Sequence, residues 1–354
     1  MDEKWGRQIE AFDKVRRRRE CLHPRASRNE CSPTIAKAHT VPVSALRLIA
    51  RDGHVLELPK HPAALSKTEG IFSPCSVGVK AASTFTGFCG RHDNELFGPI
   101  ENKFLQPCAK HAFLLMYRAL CTELFAQEAR LQGARARDEN KWNVIDTPLG
   151  DLSSPDQVDF LKGCQEATAR CLKDKQRLDS MLSAGNYSEV RFVFLKLGSP
   201  PEIMCSGLAT PDFDFNGNRL QDVADWDTPL TSFYLSLVGE KPHGWAVFGW
   251  MSEDDHVAIP FVQSLLDRCN STAVANGIVR MVFSCIENSF ISPDWWDILD
   301  ANLKDELVQL TRLAADPFLD NPTNHLAPGA DVPLNCSIDR IEANCGITMP
   351  TWLN

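Results

Sequence analysis

The pattern of apolar and polar residues along the chain changes near residue 186. Between Phe104 and Ala136 apolar residues recur at spacings of three and four, which predicts one long amphipathic helix. A second long helix is predicted from Asp156 to Leu182, and we expect the pair to form a helical hairpin. Beyond Asn186 the chain alternates or runs apolar over strand lengths between Gly, Pro and Asn, which predicts an antiparallel sheet of about four strands. These strand segments read EVRFVFLKLG, EIMCSGLATP, SFYLSLVG and HGWAVFGWMS.

The end of the chain has a different pattern. Helical periods predict helices at about 256–269, 272–289 and 293–314. A Pro- and Asn-rich tail, 325–354, follows and is expected to lie over the surface. The segment DFDFNGNRLQ contains Asn-Gly and is predicted to be a turn, because it lacks the final Glu of a calcium-binding loop. Residues 186–354 are therefore expected to form an α+β domain.

The first 92 residues have few helical periods and many Pro, Ser, His and Cys residues. After a short polar helix at 3–20, the pattern predicts an extended piece into His39, a helix through Ser44 to Ala50, a strand after Gly53 and a helix start at HDNELF. A stretch with so weak an apolar core needs another source of stability. A bound metal is the usual source in a small cysteine-bearing module.

Composition indicates the cellular compartment in which the protein is expected. Among 354 residues are 13 cysteines, an odd number that argues against a complete disulfide framework and favours a reducing cytoplasm. No run of about 18 apolar residues occurs, and the charged N-terminus does not resemble a secretory signal, so neither membrane insertion nor secretion is expected.

Charge is unevenly distributed along the chain. The net charge is −9, but residues 1–103 hold 17 basic and 12 acidic residues, against 20 and 34 in the remainder. The N-terminal part could therefore face a polyanion, while acidic surface elsewhere repels phosphate. The densest basic block, Arg16 to Arg19, is either a phosphate-contacting arm or a solvated helix face.

Metal-ligand residue types cluster in the N-terminal part. Cys89 and His92 form a C-x2-H pair, which needs two further ligands to close a tetrahedral zinc site. Cys21 and Cys31 are the predicted partners, and His23 is the alternative to Cys31. The ligand types present before residue 93 are Cys21, His23, Cys31, His39, His54, His61, Cys75, Cys89 and His92.

The order of these residues resembles a known family. Cys21, Cys31, the AHTVPVS segment around His39 and FCGRHD at 88–93 resemble the treble-clef, zinc-knuckle layout of HNH endonucleases. The likeness covers about residues 21–103 and extends to uncharacterised bacterial nuclease-like proteins. It implies a zinc-stabilised ββα module at 1–103. Together with the patterns above, the expectation is an α+β fold with three parts: this module, a helical hairpin connector (104–185) and a C-terminal α+β domain (186–354).

The resemblance also implies catalytic roles. His39 falls where the HNH general base takes a proton from water, and Asp93 falls where the last histidine of the family binds a catalytic divalent ion, Mg²⁺ or Mn²⁺. The middle Asn of the family pattern has no clear counterpart. Asn94 is our candidate for it, although Thr84 and Thr86 lie nearer to the expected place in the sequence.

Two functions from different classes remain open. The first is a metal-dependent DNA endonuclease, regulated by its C-terminal domain and suited to bacterial defence against phage. The second is a catalytically inactive, zinc-stabilised adaptor or nucleic-acid-binding module, favoured by Ala38 where the family often has an acidic residue. The acidic C-terminal domain is expected to bind a protein partner, a second copy or a small ligand. Four of its tryptophans, Trp245, Trp250, Trp295 and Trp296, are expected in the core, because base stacking is normally paired with a basic groove.

Overall fold

The computed structural model describes residues 3–59, 73–139, 146–147, 150–151, 154–223, 225, 228–315, 325–327 and 332–353. The candidate ligand His61 lies outside these residues. The helices are α1 Glu3–Arg16, α2 Val43–Ile49, α3 Gly90–Glu101, α4 Ala109–Glu139, α5 Ser154–Ala184, α6 Asp255–Leu266, α7 Ser271–Cys285, α8 Pro293–Ile298 and α9 Ala301–Ala315. The strands are β1 Ala38–His39, β2 His54–Glu57, β3 Cys75–Gly78, β4 Thr84–Phe85, β5 Asp146–Thr147, β6 Gly150–Asp151, β7 Val190–Leu197, β8 Ile203–Ala209, β9 Phe233–Glu240, β10 His243–Met251, β11 Ser289–Ile291 and β12 Ile338–Ala343.

A mixed α+β fold is built on one eight-stranded antiparallel sheet. Its strand order is β12-β7-β10-β9-β8-β11-β2-β3, so the four strands predicted after residue 186 form its centre. The prediction of an antiparallel sheet is thereby confirmed. Two further short pairs, β1 with β4 and β5 with β6, lie outside this sheet.

The sheet continues into the N-terminal part of the chain. β11 pairs with β2 at Ile291 and Leu56, and β2 pairs with β3 along four residues. The hairpin β2–β3 therefore belongs to the same sheet as the strands of residues 186–354. The domain boundaries at 103 and 185 stay a prediction, but the main sheet combines strands from before the first boundary with strands from after the second.

Both faces of the sheet are buried. Alternate residues of β7 point to opposite sides: Phe192 and Phe194 pack with the long helix α4, while Val193 and Leu195 pack with the C-terminal helices. A strand buried on both faces reads as a nearly continuous apolar run, as β7 to β10 do. Each large apolar side chain buried in this way contributes about 1.5–3 kcal/mol.

The helical hairpin is present and reaches the N-terminal part. The Tyr117 hydroxyl on α4 donates to Asp179 on α5 at 2.6 Å, and Lys175 also donates to Asp179. The Lys175 ammonium donates in addition to the backbone oxygen of Leu22 at 2.7 Å. Through that bond the hairpin holds the segment that carries Cys21.

Two expectations for the C-terminal part need correction. The tail does not only lie over the surface, because residues 338–343 form β12 and pair with β7 at the edge of the sheet. The single helix expected at 293–314 is broken into α8 and α9. The break follows from Asp300, whose side chain accepts a hydrogen bond from the Leu303 N–H at 2.9 Å and so begins a new helix.

Two local expectations are confirmed. The Asn-Gly segment is a turn in which the Asp214 carboxylate accepts the N–H groups of Asn216 and Asn218, each at 2.8 Å, and Gly217 has a positive φ of 80°. The four tryptophans in question are all buried: Trp245, Trp250, Trp295 and Trp296. Among the described residues, no helix combines the length and the apolar character that crossing a membrane requires.

Candidate metal centre and the site beside it

A short strand pair leads into α3. Ala38 pairs with Phe85 and His39 with Thr84, and the pairing continues through the Ala36 N–H, which donates to Phe88 O at 2.8 Å. The chain then turns at Cys89, which caps α3: its sulfur accepts the His92 N–H at 3.5 Å. This strand–strand–helix order places residues 38–39 beside the start of α3.

Four of the predicted ligands converge at the start of α3. The sulfurs of Cys21, Cys31 and Cys89 lie 3.3, 3.7 and 3.3 Å from Nδ1 of His92. All four donor atoms lie within 4.8 Å of one another. We call these residues the quartet. With Zn–S bonds of about 2.3 Å and Zn–N bonds of about 2.0 Å, a tetrahedral site separates sulfur from nitrogen by roughly 3.5 Å. The quartet has this geometry and could hold a metal ion such as zinc.

The alternative ligand His23 lies next to the quartet but outside it. Its Nδ1 accepts the Arg25 N–H at 3.2 Å, and its ring stacks on His92 with the ring centres 4.0 Å apart. Burial, together with the charge on His92, lowers the pKa of His23 to about 4, so the ring is neutral at pH 7. A neutral ring can cover a metal ligand without repelling a metal ion, and Cys31 supplies the fourth donor.

The thiols differ in their electrostatic surroundings. Burial raises the pKa of Cys21 to about 11. Burial also acts to raise the pKa of Cys89, but hydrogen bonds from the backbone of His92 and of Ser32 outweigh it and lower this pKa to about 7. The thiolate is the form that binds metal, so a bound cation must displace the protons of the remaining thiols.

Asp93, the next residue of α3, is half-buried, and its carboxyl group interacts with the charges of Arg118 and Glu101. Burial raises the pKa of its carboxyl group to about 6; the charge of Arg118 acts in the opposite direction, and that of Glu101 adds to the increase. Arg118 comes from α4, and Glu101 is the last residue of α3. Asp93 therefore lies over the contact between these two helices.

The Arg118 guanidinium is buried. The side chain is 1% exposed, and its Nη2 donates to Glu101 at 2.9 Å. The guanidinium also lies over the Phe97 ring, 4.2 Å from its centre. Nε and Nη1 of Arg118 are buried and have no hydrogen-bond partner within the described residues. A buried charge so incompletely satisfied is costly in a purely structural role, which makes this a place to look for a ligand.

The charges of Glu101 and Arg118 also act on the pKa of His39. Its pKa is lowered by burial, raised by a hydrogen bond with the backbone of Val79 and by Glu101, and lowered by Arg118. Its Nε2 is buried and has no partner among the described residues. The charges of Glu101 and Arg118 therefore act on both His39 and Asp93. We call His39, Asp93, Glu101 and Arg118 the polar cluster.

The other predicted site residues are not drawn into this cluster by any hydrogen bond. Asn94 is exposed on α3. The hydroxyl of Thr84 donates to Ala81 O at 2.8 Å, and that of Thr86 donates to Arg18 O at 2.5 Å. Ala38 is a buried core residue. A role for Asn94 stays a prediction.

Two members of the cluster were missed by sequence reasoning. Arg118 interrupts the apolar run AFLLMYRALC, and a single charged residue inside such a run is the signal that could have identified it. Glu101 offers no comparable signal, because an acidic residue at a helix end is common.

The basic block at the end of α1 is largely committed to protein contacts. Arg17 pairs with Asp13 at 2.5 Å, while Arg18 pairs with Glu20 and Glu128 and lies over Phe125. These contacts favour the interpretation as a helix face over that as a phosphate-contacting arm. Arg18 fastens the end of α1 to α4.

Comparison with protein-family models, with curated proteins and with solved structures gives no match for this chain. The fold and the site define a protein class only in coarse terms. It is a mixed α+β protein with a Cys3His cluster able to hold a metal ion, and a buried polar cluster lies beside that metal centre.

Proposed function

We propose that the chain is a metal-dependent DNA endonuclease in which the quartet holds a structural zinc ion and the polar cluster cuts. The observation that carries this proposal is the position of His39 on β1 and of Asp93 in the first turn of α3, where both sense the charges of Glu101 and Arg118. The HNH resemblance implies such a layout. The positive balance of residues 1–103 agrees with a DNA substrate.

The chemistry assigns the proton transfer to His39. Its lowered pKa keeps the imidazole neutral at pH 7, so it can accept a proton from an attacking water. The water oxygen then bonds to phosphorus, the phosphorus–oxygen bond to the neighbouring sugar breaks, and the departing oxygen takes a proton from solvent. Arg118 stabilises negative charge in this region of low dielectric constant.

A divalent ion at Asp93 would supply positive charge to the phosphate. Mg²⁺ and Mn²⁺ prefer oxygen ligands, and Mg²⁺ is usually bound through one or two carboxylates together with water and substrate phosphate. Asp93 offers such a carboxylate, while Glu101 lies eight residues further along α3 and accepts a hydrogen bond from Arg118. In the described part of the chain, the quartet is the one group of three or more ligands within 4.8 Å, so substrate oxygens would have to complete the coordination.

Plasmid cleavage tests the proposal. Zinc-loaded protein is incubated with supercoiled plasmid and Mg²⁺ or Mn²⁺, beside a His39→Ala variant. Loss of a general base should lower the rate about 10²–10⁴-fold. His54→Ala is the matched control, because His54 is an exposed histidine of the same segment whose Nδ1 contacts Asp52 O, and it should cut like the parent. No cleavage by the parent with either ion, or equal cleavage by parent and His39→Ala, would refute the assignment.

The second candidate function is an inactive adaptor whose zinc ion only maintains the fold. One observation favours it: Ala38 is buried and apolar where the HNH pattern often has an acidic ligand. On this view the parent binds zinc and remains folded but does not cut. His39→Ala should then retain the cellular function, while Cys89→Ser should lose it.

For the C-terminal part we propose regulation of the site, which would suit defence against phage or other foreign DNA. Between α5 and the start of β9 lies a cleft of about 750 Å³, lined by Arg170, Asp174, Tyr234 and Asp254 among others. Its size is in the range of small-molecule sites. A small ligand there is therefore the form of regulation that the cavity favours, with a protein partner or a second copy as the alternatives.

A further inference from the structure

A second groove opens next to the polar cluster. It has a volume of about 400 Å³ and lies between the start of α2, the end of α3 and the β9–β10 turn. Pro42, three residues after His39, and Glu101 both line it. Glu101 also accepts the hydrogen bond from Arg118, so the groove and the polar cluster share a residue. Whatever enters the groove comes close to the proposed cutting site.

The negative charges of the groove are already engaged by the protein. Glu101 holds Arg118, and Glu240 accepts hydrogen bonds from the Leu105 N–H at 2.9 Å and from the Trp245 indole at 3.0 Å. The positive charges are free. Lys103 and Lys241 are exposed at the rim, and neither has an ion-pair partner among the described residues. The groove therefore offers two uncommitted cations to an incoming ligand.

An aromatic ring stands at the same rim. Phe104, between Lys103 and the buried Leu105, is 64% exposed. His243 lies near it, with the ring centres 6.3 Å apart and 30° between their planes. An exposed aromatic ring beside two lysines without ion-pair partners is suited to a nucleotide: the ring can stack on the base while the cations contact phosphate.

We propose that this groove binds an unstacked nucleobase of the strand that is to be cut, with Phe104 as the stacking surface and Lys103 and Lys241 as phosphate contacts. The inference rests on the proposed function for the identity of the ligand as nucleic acid. It adds a substrate preference: single-stranded or locally opened DNA should bind better than a continuous duplex, because a base within a duplex cannot reach the ring without being unstacked.

The test is binding without cleavage. Zinc-loaded full-length protein, with no Mg²⁺ or Mn²⁺ added, is titrated into a short fluorescein-labelled single-stranded oligodeoxynucleotide and into a duplex of the same length. Phe104→Ala should weaken binding of the single strand about tenfold, the loss of one base–aromatic stack, and Phe104→Trp should restore it. Lys241→Ala should reduce the salt dependence of binding, because one phosphate contact is lost.

Ile298→Ala is the matched control, since Ile298 is a comparably exposed apolar residue outside the groove, and it should bind like the parent. A position-specific readout is photocrosslinking of an oligonucleotide that carries 5-iodouracil, with the adduct expected on Phe104. Equal binding by parent and Phe104→Ala, preference for the duplex, or no binding by the parent would overturn the inference. Weaker binding by Phe104→Ala in a protein that never cuts plasmid would uphold this groove and refute only the nuclease.

Discussion

His92 and Asp93 are consecutive residues of one helix, yet the two sites they serve differ in how their polar atoms are satisfied. His92 is 0% exposed, and its Nδ1 meets three thiols at the separations of a tetrahedral metal site. The charge of Arg118 acts on Asp93, and the Arg118 guanidinium has one carboxylate partner and two nitrogens without a hydrogen-bond partner among the described residues. The quartet is a closed set of ligands. In the polar cluster, by contrast, buried nitrogens of His39 and Arg118 have no hydrogen-bond partner among the described residues.

This difference in hydrogen-bond and ligand satisfaction distinguishes a site that stabilises the fold from a site that can bind a ligand. A closed tetrahedral set leaves no position for substrate, so an ion held there stabilises the fold. Unsatisfied buried polar groups lower stability, and proteins retain them mainly where a ligand completes them. On this reasoning the quartet anchors α3, and α3 in turn presents Asp93 to whatever completes the cluster.

The largest effect is expected from breaking the quartet. Cys89→Ser removes a thiolate ligand but keeps a side chain that can cap α3, so its effect reports on the metal site. Structural zinc contributes about 10–16 kcal/mol of apparent binding energy in small zinc modules. Because the segment between the ligands supplies β2 and β3, the main sheet should lose its edge as well. We expect zinc content to fall from about one ion per chain to near zero, with loss of cooperative thermal unfolding.

Cys75→Ser is the control for that change. Cys75 lies on β3 in the same segment, is half-buried, and its thiol contacts Ser73 O rather than the quartet. It should retain its zinc and unfold within a few degrees of the parent. Metal analysis and circular dichroism measure both quantities. Full zinc content in Cys89→Ser would show that the quartet is not the metal site.

An intermediate effect is expected from the ion pair under the polar cluster. Glu101→Gln removes the negative charge that balances the buried Arg118 cation, although the amide oxygen can still accept its hydrogen bond. Removing one charge of a fully buried pair typically costs about 3–5 kcal/mol, and because the Glu101 side chain is 27% exposed we expect a loss of about 2 kcal/mol. Glu95→Gln is the matched change on the same helix. The Glu95 pair with Arg91, at 2.9 Å, is solvent-exposed, and such pairs contribute under about 1 kcal/mol. Urea unfolding of zinc-loaded protein measures the difference. Equal losses in the two variants would mean that the cluster is as well solvated as the surface, and the contrast with the quartet would disappear.

Local patterns predicted much of this molecule. The four central strands and the helical hairpin follow from apolar periodicity, which depends only on neighbouring residues. The quartet was predictable because thiol and imidazole ligands are few and chemically distinctive, and their convergence is confirmed. The choice between Cys31 and His23 required the geometry, since the Arg25 N–H that engages His23 lies in the same short loop.

Long-range pairing could not be predicted in the same way. β2 joins the main sheet through Leu56 and Ile291, which are far apart in sequence, and strands of four residues or fewer carry little pattern. The tail strand β12 was missed because its sequence, IDRIEA, has a polar outer face suited to a sheet edge. Arg118 was missed because helical periodicity marks which residues are buried but does not show which polar partners they meet.

The smallest effect concerns an acid outside both sites. Asp254, at the cleft beside α5, resembles Asp93 in that burial, together with Glu253 and Asp174, raises its pKa to about 6. It thus shows what burial and neighbouring acidic groups do to the pKa of a carboxyl group. Because the pKa of Asp254 is higher in the folded protein than in the unfolded chain, ionising its carboxyl group destabilises the fold. The destabilisation is complete above about pH 6 and absent below about pH 3.8, where the carboxyl group is protonated in both the folded and the unfolded state.

Asp254→Asn should therefore stabilise the protein, and more so as the pH rises. Between pH 5 and pH 7.5 its advantage over the parent in free energy of unfolding should grow by about 1 kcal/mol, because one pKa unit corresponds to about 1.4 kcal/mol and partial exposure reduces the effect. Asp305→Asn, at an exposed position of α9, should show no such change. Urea unfolding at the two pH values measures both variants. If Asp254→Asn destabilises the protein at pH 7.5, the Asp254 carboxylate is itself satisfied by an unseen partner. In that case a raised pKa would not show that a buried carboxyl group lacks stabilising partners, either at Asp254 or at Asp93.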